Sequence, residues 1–257
     1  MSRQSLAPDD PWARLRRQTP ARLALGRSGV SLPTAPQLAF QLAHALARDA
    51  VHAALAAERL AADVAPLGLG ALRLHSAAAD RATYLRRPDR GRALDPASRL
   101  LLTAVEGAPF DLAFVIADGL SAEAVNRQAV PLLAATLPLL AGRPWRIAPL
   151  CLVEQGRVAI GDEIGSALRA SLAVVLIGER PGLSAPRSLG LYVTWSPAVG
   201  TVDAARTCIS NIRDDGLKLA DAAETLANLL HKAASERCTG VALAARMHES
   251  PRLPPDR

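Results

Sequence analysis

Residues 171–182 read SLAVVLIGERPG. Val174, Val175, Leu176 and Ile177 form a continuous apolar run rich in β-branched side chains, and Gly178 to Gly182 supply a turn. An unbroken apolar run bounded by turn residues is the pattern of a strand buried on both faces, not of one that alternates between core and water. Such strands occur where helices cover both sides of a sheet. The stretch sets the expected class as α/β.

Upstream, DLAFVIADG from Asp111 is a second buried run, and it stops at Asp118–Gly119. Ser121 is placed to cap the helix that follows, AEAVNRQAVPLLAATLPLL, in which Pro131 is expected to make a kink or a break. WRIAPLCLVEQG is another strand region, and RVAIGDEIGSALRA reads as a short strand and then a helix from near Asp162. Downstream, LGLYVTWSP alternates and suits a strand near a sheet edge, and KLADAAETLANLLHKAASER is the last strong helix. Short strands separated by helices imply βαβ units, so residues 106–245 are expected to form a Rossmann-like domain with a parallel sheet.

Residues 21–105 are expected to be mostly helical. The pattern TAPQLAFQLAHALARDAVHAALAAERLAADV reads as one long helix, with Thr34 as N-cap and Pro36 in the first turn. Leu38, Leu42 and Leu46 recur every four residues on one apolar stripe. Pro66, Gly68 and Gly70 end the pattern, Leu72–Leu74 is a candidate strand, and YLRRPDRGR is a turn-rich basic connection. Residues 1–20 and 246–257 read as tails, the first a tail or an arm against a partner.

The chain has 257 residues, half of them hydrophobic and about a fifth charged, which excludes wholesale disorder. Its net charge of +6 comes from a composition in which 28 of 30 basic residues are arginine. Only 3% of residues are aromatic, too few for the stacking platforms of a single-strand binder, so nucleic acid is not expected as a partner. Three widely spaced cysteines, Cys151, Cys208 and Cys238, make neither a disulfide framework nor a zinc motif, and they fit a reduced, cytoplasmic setting. No apolar run is long enough to span a membrane, and MSRQSLAPDDPWARLRRQTP lacks the apolar core of a secretory signal.

The sequence motifs of phosphate loops, zinc proteases and serine hydrolases do not occur. GLGALR, Gly68–Arg73, lacks a third glycine and follows a helix. The five histidines are scattered; His44 and His52 fall eight apart on one helix without further ligands. What remains is position. Ligands of open α/β sheets sit beyond the carboxyl ends of the strands. Three such ends carry polar or flexible residues: Asp118–Ser121, Glu154–Gly156 and Gly178–Gly182. Glu179 stands out because its carboxylate can accept hydrogen bonds from a ligand's amides or hydroxyls; a turn ion pair with Arg180 or another arginine is the competing reading. Cys208 is a candidate wall residue, or else a small buried hydrophobe.

The segments LALGRSGVSLPT, FQLAHALARDAVHA, YLRRPDRGR, DLAFVIADGLSA, EQGRVAIGDEIG, VVLIGERPGLSAPRSLG and RTCISNIRDDG follow one another over about 200 residues. Together they closely resemble the small (light) subunit of ethanolamine ammonia-lyase. The resemblance implies a Rossmann-type subunit of an adenosylcobalamin-dependent enzyme that converts ethanolamine to acetaldehyde and ammonia by radical chemistry. It implies a hetero-oligomer in which a large barrel subunit binds ethanolamine and the small subunit closes over one side of the corrin. The resemblance also implies a cytoplasmic enzyme, with enclosure in a bacterial microcompartment left open. The family's cobalamin-contacting positions correspond to Val158 in EQGRVAIGD, Glu179 in IGERPG and Cys208 in RTCISNI, all expected at strand ends. No catalytic acid–base residue and no metal ligand is expected in this chain, and no activity from it alone. No histidine has the DxHxxG setting of a protein cobalt ligand, so the cofactor's own dimethylbenzimidazole is expected to stay on cobalt. The N-terminal tail and YLRRPDRGR are expected to line contacts with the large subunit, with plain solvated surface as the competing reading. The alternative from the residues alone is a non-enzymatic nucleotide- or effector-binding α/β module; a third is a purely structural interaction subunit.

Overall fold

A computed structural model describes residues 12–107 and 109–248. Most of the tail expected over 1–20, and the tail from 249 onward, lie outside the described residues. The chain runs α1 (Ala13–Arg16), α2 (Thr34–His52), α3 (Ala57–Val64), β1 (Ala71–His75), α4 (Arg81–Arg86) and α5 (Pro96–Thr103). It continues through β2 (Phe110–Ala117), α6 (Ala122–Leu139), β3 (Leu150–Glu154), α7 (Ile160–Ala167) and β4 (Ala170–Gly178). It closes with β5 (Leu189–Trp195), β6 (Arg206–Ile212), α8 (Leu219–Glu236) and α9 (Gly240–His248).

The apolar runs become the centre of the sheet. β2 and β4 lie side by side in a six-stranded sheet of order β1-β3-β2-β4-β5-β6, and residues 112–117 and 172–178 are buried throughout. β1, β3, β2 and β4 are parallel, as expected; β5 and β6 are antiparallel, which was not. Parallel neighbours need a crossover long enough to return the chain to the same end of the sheet. The 179–188 connection contains no helix, so β4 turns straight back into β5. β1 comes from the region read as mostly helical, and it pairs with β3 at the sheet edge.

The two faces carry separate cores. Leu112, Phe114, Leu172, Val174 and Leu191 meet α3, α6 and α8 on one side. Val115, Val175 and Ile177 meet α5 and α7 on the other. α7 packs on β4 and β2. Beyond it, over β5 and β6, that second face is open.

Several local expectations change. The long N-terminal helix is two helices, because Asn126 of α6 holds the break open: its Oδ1 accepts from the Ala56 N–H at 2.9 Å, and its Nδ2 donates to the Ala54 carbonyl at 3.0 Å. Thr34 is the first helical residue rather than the cap, and Pro33 precedes it without a side-chain bond. The leucine stripe of α2 is not buried; Leu38 and Leu42 are 58% and 62% exposed, whereas Ala43 and Ala50 are buried. The helix approaches α6 through its small residues. Pro131 breaks nothing. α6 runs through it, its cost of about 3 kcal/mol offset by burial of Val125, Ala129, Leu132 and Leu133. Ser121 caps α6 as expected, its Oγ accepting from the Ala124 N–H. No strand forms at Arg157, because the chain leaves the sheet at Gln155, in the left-handed region at φ 56°, and α7 begins at Ile160.

Candidate functional site

The carboxyl ends of β2 and β3 would form the ligand crevice of an open α/β sheet, since their following helices lie on opposite faces. Here that crevice is filled. Asp118 is buried, and its carboxylate accepts from the N–H groups of Gln155 and Gly156, each at 2.9 Å. Arg81 closes over it. Its Nη1 donates to the Gly119 carbonyl at 2.9 Å and lies 3.6 Å from Asp118, while its Nε donates to the Val51 carbonyl. Burial pushes the Asp118 carboxyl up to about 6, against the pull of those N–H groups and of Arg81. Gly119, at φ 57°, and Gly178 let the ends of β2 and β4 touch: a Cβ on Gly178 would sit 2.1 Å from the Ser121 carbonyl oxygen.

The open surface lies one step along the sheet. Antiparallel register pairs Tyr192 with Val175 on one side and with Cys208 on the other, and pairs Gly190 with Ile177. Gly190, Tyr192 and Cys208 therefore share the face that α7 leaves uncovered. Glu179, just after β4, lies over this face where Gly190 has no side chain; a Cβ there would come within 2.9 Å of Glu179 Oε1. Its carboxylate accepts from Ser188 Oγ at 2.5 Å and from the Asn211 N–H at 3.2 Å. Among the described residues no arginine or lysine forms an ion pair with Glu179, so the turn ion pair weighed from the sequence is not present.

Val158 reaches the same place from the β3–α7 connection, half-buried and packed on the core that Tyr192 also joins. The three residues expected from the sequence thus surround Tyr192, a residue the sequence reading did not single out. Its signal was the alternation of LGLYVTWSP, which puts Tyr192 opposite in facing to Leu191 and Val193. Cys208 is not at a strand end as expected. It lies mid-strand on β6, because that strand runs antiparallel along the open face. Partial burial raises the thiol pKa, the Tyr192 hydrogen bond opposes this, and the Glu179 charge adds to the rise. Burial, with Cys208 and Glu179 nearby, raises the Tyr192 phenol to about 12. Both groups are neutral near pH 7, so the surface offers apolar contact and one carboxylate acceptor, not a nucleophile.

A cavity of about 780 Å³ adjoins this surface, walled by Val158, Tyr192, Arg157 and the 199–203 loop. Arg206 and Asp162 meet in a buried ion pair at its base, tying β6 to the first turn of α7. Burial pushes the Asp162 carboxyl up to about 6 even beside that guanidinium. Among the described residues no group of three or more His, Cys, Asp or Glu side chains could hold a metal ion, and no helix is long and apolar enough to cross a membrane.

The ethanolamine ammonia-lyase light chain (EutC) family matches residues 9–244. The ethanolamine ammonia-lyase small subunit of Azotobacter vinelandii is 55% identical over 246 residues, covering 95% of this chain and 91% of that protein. The small subunit of Ralstonia nicotianae is 55% identical over 237 residues, covering 91% of this chain and 88% of its own. That of Pseudomonas aeruginosa is 52% identical over 238 residues, covering 91% and 87%. A match over nearly the whole chain, at this identity, assigns it plainly: the protein belongs to the ethanolamine ammonia-lyase small-subunit family.

Proposed function

We propose that this chain works as the small subunit of an adenosylcobalamin-dependent ethanolamine ammonia-lyase and forms one wall of the cofactor site, against a large subunit that binds ethanolamine. The observation that supports this most is the convergence of Val158, Glu179 and Cys208, from three separate sequence motifs, on one uncovered sheet face. The chemistry of that face fits a corrin. Val158 and the Tyr192 ring give apolar area for the macrocycle, the Glu179 carboxylate can accept from the amide side chains on its rim, and the neutral Cys208 thiol packs without reacting. Gly190 leaves the room in which the Glu179 carboxylate lies. When bound, the cofactor supplies the radical chemistry. The residues of this chain bind, orient and exclude water.

Co-expression with a large subunit, followed by cobalamin titration monitored by visible absorbance and an ethanolamine turnover assay, tests the reading. The complex should bind cobalamin and turn over ethanolamine, and the isolated chain should not turn it over. Glu179→Ala should weaken cobalamin binding by about 1–3 kcal/mol, and Glu179→Gln by less, because an amide oxygen still accepts. Equal affinity for wild type and Glu179→Ala would remove Glu179 from the site. A complex that binds no corrin would overturn the reading.

A further inference from the structure

Three arginines reach the cavity beside Val158, and they are not equivalent. Arg206 is buried and paired with acids: it pairs with Asp162, lies 3.3 Å from Asp203 and donates to the Thr201 carbonyl at 2.9 Å, although its Nε, like that of Arg157, is buried without an acceptor. Arg157 is half-buried and has no such partner. Among the described residues no carboxylate lies within ion-pair distance of Arg157 or of Arg92 beside it. Arg157 Nη2 donates to the Tyr84 carbonyl at 2.9 Å, and its Nε is buried with no acceptor.

Nor is Arg157 free to swing away and find an acid. Its guanidinium stacks on Tyr84, 4.4 Å from the ring centroid. Its backbone N–H donates to the Gly91 carbonyl at 2.8 Å, and its Cγ lies 3.0 Å from where a Cβ on Gly91 would be. A partly desolvated guanidinium held rigid with its counter-charge missing is costly unless an anion completes it. With Nη2 on Tyr84 and Nε buried, Nη1 is the donor left to an oxyanion such as phosphate. The two acids on the cavity do not fill the role, since Asp162 and Asp203 are both engaged by Arg206.

We infer that Arg157, with Arg92 at the rim, forms an oxyanion subsite that takes the phosphodiester of the cofactor's nucleotide loop, next to the wall that Val158 gives the corrin. The inference rests on the cobalamin reading above. A free phosphate ion offers the same chemistry, and the test separates the two sources.

The complex with the large subunit is titrated with cyanocobalamin and with dicyanocobinamide, a corrin without phosphodiester or nucleotide, for wild type, Arg157→Gln and Arg157→Lys. Wild type should bind cobalamin more tightly than cobinamide. Arg157→Gln should weaken cobalamin by about tenfold or more and leave cobinamide within about twofold, with Arg157→Lys between them. Arg157→Lys keeps the charge and most of the stem, and a melting temperature near that of wild type shows that it is folded. Equal weakening of both corrins in Arg157→Gln would make Arg157 a support of the loop and overturn the subsite. So would inorganic phosphate binding that Arg157→Gln abolishes while the preference for cobalamin persists. A wild-type complex that binds neither corrin instead overturns the cobalamin reading itself, and the subsite with it.

Discussion

Asp118→Asn probes the filled crevice through a pH dependence of known sign. The wild-type carboxylate is buried at the end of β2 and accepts two backbone N–H groups, from Gln155 and Gly156. Its pKa is raised by burial from 3.8 to about 6. The folded chain therefore holds this proton more tightly than the unfolded chain. The stabilising contribution is fully present below the unfolded value and is lost as pH rises through about 6. A shift of this size makes wild type lose about 2–3 kcal/mol from this group between about pH 4 and about pH 7.5. Asparagine has no proton to lose. It offers one acceptor where two backbone donors point, and the unmet buried N–H costs about 1–3 kcal/mol at every pH. The cost of the substitution should therefore be largest near pH 4 and shrink by about 2–3 kcal/mol by about pH 7.5, where it approaches zero or changes sign. Urea unfolding of both proteins across that range, followed by circular dichroism, measures the difference. Asp162 is raised in the same way in both proteins, so its contribution cancels. A cost that stays flat, or grows with pH, would refute the burial-dominated account of Asp118.

Gly178→Ala would place a Cβ 2.1 Å from the Ser121 carbonyl oxygen, between backbones that cannot separate without opening β2 from β4; it should cost about 3 kcal/mol or more, read as a fall in melting temperature, and a near-wild-type melt would contradict the close approach. Leu42→Gln, on the exposed stripe of α2, should change the stability of the isolated chain by no more than about 0.5 kcal/mol. A loss several times larger in urea titration would mean that the stripe is buried after all. With dimethylbenzimidazole kept on cobalt, the axial nitrogen splitting of the cob(II)alamin electron paramagnetic resonance signal should not change when the protein's histidines carry nitrogen-15; a change would identify a protein imidazole as the ligand.

Local composition alone marks which segments are strands buried on both faces. Val174–Ile177 and Leu112–Ala117 are apolar on every side, the pattern of strands covered on both faces. The sequence also carried the family, through motifs that place Val158, Glu179 and Cys208 in the chain, and it pointed to Glu179 independently as the residue after a buried strand. Which elements face which is a matter of long-range packing. The periodicity of α2 announced an apolar stripe but not that its alanines, rather than its leucines, would meet α6, because closest approach favours the smaller face. The helical pattern across Ala53–Ala56 looked continuous until Asn126, distant in sequence, supplied hydrogen bonds that competed with the helix's own. Antiparallel β5 and β6 follow from a connection too short for a crossover, and with them come the uncovered face, the mid-strand position of Cys208 and the central place of Tyr192. Hydrophobic periodicity records how many sides of an element are shielded from water. Strand order, register and the long-range hydrogen bonds that break a helix depend on partners far along the chain, and only the folded packing names them.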